Sequence, residues 1–200
     1  MALTREQLVD TAFGILRDYG LADLSMRRLA RDLGVQVGAL YWHVKNKQEL
    51  LGVLSVMILA PVEDPGGGAA PAMGDVPQTA LPAVAADDAP AAIRRRALDI
   101  RNALLGVRDG AEVVALTHAL DPDALPTLNE LEPLFAAAGL ARDQANWAGK
   151  AVVNYILGAV SQEQTRSGLV AAGLLPGEAD PGGDTAAFNF GLEMLLAGTR

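Results

Sequence analysis

No cysteine occurs anywhere in the 200 residues. Disulfides and thiolate metal sites are therefore excluded. Histidine is nearly absent too: His43 and His118 are the only two, and they lie in different parts of the chain. No nucleophile, base and acid are grouped, and there is no glycine-rich phosphate loop, so the sequence offers no seat for enzymatic chemistry. Aromatic residues make up only 4% of the chain against 50% hydrophobic. The core must be built from Ala, Leu and Val, a composition that favours helices over strands. No apolar run approaches the ~20 residues needed to cross a bilayer. The N-terminus, Met1-Ala-Leu-Thr-Arg5, lacks the basic-then-apolar plan of a secretion signal. A soluble, cytoplasmic chain with no membrane partner is expected.

What is present is unevenly distributed. The formal net charge is −8, which argues against a polyanionic partner until it is divided. Residues 1–47 hold seven Lys and Arg against five acids, a local +2, and the remainder carries −10. A small basic surface on an acidic protein can still hold phosphates, because salt screens repulsion beyond ~8–10 Å.

The apolar spacing predicts an all-α chain. Val9, Ala12, Phe13 and Leu16 form one helical face, ended by Gly20. Ser25 caps a short second helix that stops at Gly34. Residues 35–43 form a third, poorly capped helix. Asn46, with Glu49 three positions on, reads as a capping box for a fourth, which Pro61 stops. Residues 61–89 are rich in Pro and Gly and read as a linker. A second helical unit begins at Asp88, with Ile93, Ala97, Ile100 and Leu104 as its buried stripe. A short helix is expected over 111–116, and one from Asp121-Pro122 to Gly139. The longest covers 142–167 and is apolar nearly all round, so it needs cover on both sides. After a loop over 173–184, a last helix over 185–197 carries Phe188, Leu192 and Leu195. The expected domains are 1–47, a connecting helix over 48–60, the linker, and 90–200.

Two short helices joined by a Gly-containing turn, the second followed by basic residues, make a helix-turn-helix. The run from Ser25 to Lys47 resembles the DNA-binding region of the TetR family of repressors. Leu40-Tyr-Trp-His43-Val-Lys45-Asn-Lys47 is similar to the tetracycline repressor subgroup. Ala103-Leu-Leu and Arg108-Asp-Gly-Ala111 resemble that subgroup's ligand-binding domain. The resemblance implies an N-terminal three-helix DNA-binding domain and a C-terminal helical ligand-binding and dimerisation domain. It also implies that Gln36, Val37, Gly38, Ala39, Tyr41 and His43 face the major groove of double-stranded operator DNA. Gln36 bonds adenine or merely caps its helix. Val37 and Ala39 meet thymine methyls, and His43 meets guanine or phosphate. Arg27 matches a guanine-reading position. Arg28 is solvated or phosphate-facing, as is Arg31. Lys45 and Lys47 clamp phosphate. Leu40, Val44 and most of Trp42 are expected to pack in the core or along the groove wall. Specificity is expected to differ from that of the tetracycline operator at Val37, Gly38 and Ala39.

In the subgroup, the resemblance implies an inducer bound with Mg²⁺ through a His and an acidic residue. Here those positions fall on Val114 and Gln162. Valine cannot ligate, and an amide is a poor substitute for a carboxylate on a hard cation. No metal and no cofactor are expected. A lipophilic small-molecule effector is expected instead, in apolar volume between the long helix and the Ile93–Leu104 stripe. Its walls would include Ile100, Leu104, Val114, Leu131 and Ala151. Arg96, Asn102, Thr117, His118, Asn154, Tyr155 and Gln162 are candidate polar contacts. Arg96 meets an acidic ligand or is simply solvated. His118 bonds a ligand or caps its helix, and Trp147 lines the pocket or the dimer interface. The family resemblance, with the two-sided helix 142–167 and the last helix 185–197, implies a homodimer. The expected function is a ligand-responsive repressor on a palindromic site. The alternative is a DNA-binding regulator whose C-terminal domain answers to a protein partner or to no small effector.

Overall fold

A computed structural model describes residues 3–63, 85–178 and 180–198, and all its regular elements are helical. Helix α1 (Arg5–Tyr19) opens on a complete capping box: Thr4 accepts from the Gln7 amide, and Gln7 returns a bond to Thr4. Ser25 caps α2 (Met26–Asp32) by accepting from Arg28 N–H at 3.2 Å. Gly34 ends α2 at φ +68. Val35 N–H bonds Ala30 and Gly34 N–H bonds Arg31, a double closure that requires a left-handed residue at Gly34. Helix α3 spans only Val37–Leu40, shorter than the predicted 35–43. Its chain tightens after Leu40, where the His43 amide bonds the Leu40 carbonyl in a 3₁₀-type turn.

Helix α4 (Lys47–Glu63) begins where Asn46 accepts from the Glu49 amide at 2.8 Å. The Glu49 carboxylate reciprocates on Lys45 N–H rather than on Asn46. The helix runs through Pro61, where a stop was predicted. Proline there removes one hydrogen bond from the ladder, while Val62 beside it is buried in the core. Residues 61–63 therefore belong to α4, and 86–89 lie in a 3₁₀ turn and the start of the next helix. The rest of the predicted linker, 64–84, lies outside the described residues.

Helix α5 (Ala89–Leu105) buries Ile93, Ala97, Ile100 and Leu104 as predicted. Helix α6 (Gly110–Leu120) exceeds the predicted 111–116. The single helix predicted over 121–139 is broken into a 3₁₀ turn at Pro122–Ala124, α7 (Pro126–Asn129) and α8 (Leu131–Ala137). Pro126 forces Leu125 out of helical geometry (φ −125, ψ 70). Pro133 has no N–H for the Asn129 carbonyl, where α7 ends. Helix α9 (Arg142–Ala171) is 30 residues long, about 45 Å at 1.5 Å per residue. Helix α10 (Pro181–Ala197) starts four positions before the predicted Thr185, because Asp180 caps it by accepting from Gly183 N–H at 2.9 Å.

Helices α1–α3 and the start of α4 form a small head. The rest of α4 leaves the head and packs on α5 and α6. Helix α9 is central, touching α5, α6, α8 and α10. One continuous apolar core runs from Leu8 in the head to Leu196 in α10. The α10 stripe that enters it is Phe188, Leu192 and Leu196. Leu195, predicted inside, lies on the outer face because the i, i+4, i+8 row carries the contact.

Candidate nucleic-acid interface and effector cleft

The exposed rim of the head runs along α2, α3 and the turn behind α3. Arg27, Gln36 and Gly38 are exposed, and Val37, Ala39 and His43 are half-buried. Gln36 occupies the cap position of α3, but its side chain makes no cap bond, so that alternative role is not realised. Leu40 and Val44 are buried and hold the turn to the head. Tyr41 is 50% and Trp42 89% exposed. Of the two places expected for the indole, core or groove wall, the first is excluded, because the turn at Tyr41–His43 swings it outward. Lys45 is exposed, and Lys47 is half-buried at the first position of α4.

Arg28 is neither solvated nor free for phosphate. Its guanidinium ion-pairs with Asp23, approaches Asp32 at 3.6 Å, and lies 4.0 Å over the Tyr19 ring. A fork committed on three sides braces α2. Arg31 is paired with Asp32. Among the cations singled out from sequence, Arg27 and Lys45 are exposed and form no ion pair among the described residues. An exposed indole and phenol flanked by uncommitted cations suit a duplex edge: charge for phosphate, flat apolar surface for sugar and base methyl.

The residues expected to surround an effector do not form one chamber. Ile100, Leu104, Val114 and Leu131 are wholly buried. They fill the space between α9 and the α5 stripe that was expected to hold a ligand. Three of the polar candidates are committed within the fold. Arg96 donates to the Val62 carbonyl at 3.0 Å and ion-pairs with Glu130 at 2.6 Å, which overturns its solvated reading. Thr117 is buried and bonded to Ser55 of α4 at 2.8 Å. Tyr155 donates to the Phe188 carbonyl at 2.8 Å and stacks on the Phe188 ring, and burial raises its pKa. Asn102, Trp147, Ala151 and Gln162 are exposed.

His118 and Asn154 do meet. They line a cleft of about 240 Å³ between the end of α6 and helices α7, α8 and α9. Pro122, Leu128 and Val153 give it apolar walls, and Lys150, Glu132 and Asn146 give it a polar rim. Glu132 is engaged by Asn146 at 2.7 Å. The His118 Nδ1 is shielded from solvent and has no hydrogen-bond partner. Burial first, then the Lys150 ammonium, lowers the imidazole pKa from 6.5. A neutral imidazole beside a cation can orient a small polar group held over Leu128 and Val153. The sequence reading missed Lys150, Leu128 and Glu132, because their convergence depends on the broken path of 121–139.

The Mg²⁺ centre implied by the resemblance does not fit this chain. Val114 is a buried hydrocarbon, Gln162 is exposed, and no group of three His, Asp or Glu residues converges among the described residues.

A helix-turn-helix head on an all-helical C-terminal unit has the build of a DNA-binding regulator. Comparison with known proteins makes the class definite. Residues 8–54 match the model of bacterial regulatory proteins of the tetR family, and 81–174 match the tetracyclin repressor-like C-terminal domain. The class C tetracycline repressor protein of Escherichia coli is 32% identical over 213 residues, covering 98% of this chain and 90% of its own. Among solved structures, BioQ of Mycobacterium smegmatis superposes with a TM-score of 0.79 at 36% identity, covering 98% of this chain and 97% of its own. A BioQ structure with its double-stranded DNA operator gives 0.73 at 32% identity, with 98% of each chain covered. The chain belongs to the TetR family and is a tetracycline-repressor-like transcriptional regulator. No helix among the described residues is long and apolar enough to cross a membrane.

Proposed function

We propose that this chain is a dimeric, cytoplasmic repressor that binds a palindromic operator and is released by a small molecule. The outward set of Arg27, Gln36, Gly38, Tyr41, Trp42 and Lys45 carries the DNA half of this reading. Gln36, freed from capping, can reach an adenine edge, Val37 and Ala39 can meet thymine methyls, and His43 can reach guanine or phosphate. Lys45 and Lys47 contact phosphate, while Arg28 acts on DNA only by bracing α2. The likeness to an operator-bound BioQ supports the same docking.

Two heads on a palindrome require a two-fold partner. The outer faces of α9 and α10 support one: Trp147 and Phe190 are 66% and 70% exposed, with Met194 and Leu195 beside them. Large apolar side chains left exposed on two neighbouring helices fit an association face.

The cleft at His118 supports a small effector with an apolar body and one polar end. Its volume lies below the ~300–1,000 Å³ of drug-sized pockets. The second reading, a domain without a small effector, is favoured by the filled core between α5 and α9.

Operator binding is tested by selecting sites from a random duplex pool with the full chain. The expected product is a two-fold-symmetric sequence. Lys45→Ala should then weaken all sequences about equally and lower the salt dependence, whereas Gln36→Ala should relax preference at one base pair by ~1–3 kcal/mol. Failure to enrich any sequence would remove the repressor reading.

A further inference from the structure

The covalent route from head to C-terminal unit is α4. A second route, made of side chains, runs from α9. Gln164 on α9 faces the turn between α5 and α6 and bonds it three times. Its amide oxygen accepts from Ala111 N–H at 3.2 Å, and its amide nitrogen donates to the Leu104 and Val107 carbonyls at 3.0 and 2.8 Å. Ala111 lies in the first turn of α6, where backbone N–H groups have no partner within the helix. One side chain thus ties the end of α5, the turn and the start of α6 to the long helix.

The same turn grips the head. Asp109 holds a left-handed backbone, φ +56, and its carboxylate accepts from the Leu21 amide at 2.8 Å. Gly20, beside Leu21, has φ +88 and lies so close to Asp109 that a Cβ there would strike the carboxylate. At Gly110 a Cβ would strike the Leu104 carbonyl. The joint is therefore specified on both sides: Gly20 and Asp109 hold left-handed backbone, and Gly110 leaves no room for a side chain against the Leu104 carbonyl.

We infer that Gln164 is a positioning residue for operator binding: through the turn at 104–111 and Asp109 it sets the orientation of the head against α9. This rests on the reading of the chain as a dimer on a palindrome, since only paired heads are penalised for a wrong separation. Helix α9 also carries Gly149, Lys150, Val153 and Asn154 of the cleft, so displacement of α9 reaches the head by this path.

The test measures tolerance of operator spacing. The probe is the palindrome selected by the unaltered chain, with and without one base pair inserted at its centre. An insertion turns one half-site by roughly a tenth of a helical turn and displaces it. The unaltered dimer should lose about a hundredfold in affinity on insertion, comparable to one or more mismatched pairs. Gln164→Met keeps the length of the side chain and removes all three bonds. It should bind the native spacing several-fold more weakly and lose less than about tenfold on insertion. Asp109→Ala should reproduce that tolerance, and the double variant should add nothing to it, because both act on one path. Affinity for an isolated half-site should stay unchanged in all three. Each comparison is a ratio within one protein, so a partly unfolded preparation does not imitate the effect. Undiminished spacing discrimination in Gln164→Met, or half-site affinity falling in parallel, overturns the inference alone. An unaltered chain that selects no symmetric site overturns the dimer reading and the inference with it.

Discussion

His118 has two neighbours acting on it in the same direction. Burial and the Lys150 ammonium both disfavour its protonated form and lower its pKa from 6.5. The unfolded chain therefore takes up a proton at higher pH than the folded one. The stability from this group is present above about pH 6.5 and is lost as pH falls through the lowered folded value. Urea midpoints at pH 7.5 and 5.5 should show a larger acid loss for the unaltered chain than for His118→Gln. Lys150→Gln should lie between. Equal losses in all three would place the acid sensitivity elsewhere. At this scale the sequence was informative where a residue's role is local. Ser25 and Asn46 cap as their neighbours dictate, and Val114 and Gln162 forfeit metal binding by their chemistry alone. It was uninformative where the role depends on a distant partner. Nothing near Gln164 announces a turn more than fifty positions away.

Between elements, the contact of α4 with α6 has a polar seam inside an apolar interface. Ser55 Oγ is buried and lies 2.9 Å from the Leu51 carbonyl, 3.3 Å from the Val113 carbonyl and 2.8 Å from Thr117 Oγ1. Thr117 also donates back to Val113. Ser55→Ala should cost about 1 kcal/mol in urea unfolding, since one hydroxyl partner is lost from a dry site. Thr117→Val keeps the shape, and the double variant should cost less than the sum of the two singles. Strict additivity would mean that the two hydroxyls do not interact. Element boundaries show why some helices were legible and others not. The 3.6-residue apolar period of α5 and the glycine after α2 are local signals and survived folding. Helix α4 extends past its apparent stop with Val62 buried in the core, whereas α10 gains its exposed first turn from the Asp180 cap. The break in 121–139 follows from Pro126, which acts on Leu125 just before it, and from Pro133, which acts on Asn129 four residues back.

For the whole molecule, the arrangement separates two outward surfaces. The head displays Tyr41, Trp42 and free cations, while α9 and α10 display Trp147, Phe190 and Met194. The net charge of −8 belongs mostly to the second part, leaving the head as the phosphate-binding end. Replacing both Phe190 and Met194 by Glu should leave the head folded and convert the chain to a monomer in sedimentation. Operator affinity should fall by about a hundredfold or more, because the second half-site no longer benefits from tethering. A dimer that persists with full affinity would move the interface off α10. The all-helical class was legible from composition and apolar spacing. The inward row of α10 was not, since Leu195 and Leu196 are equivalent until the helix is docked.

The two tryptophans, Trp42 and Trp147, are the only indoles in the chain, and both are exposed, one on the head and one on α9. Each is therefore a native optical probe. In a Trp147→Phe protein the emission comes from the head alone and should report duplex binding without any added label. In a Trp42→Phe protein it should follow subunit association, so that the two events can be timed separately in one stopped-flow cell.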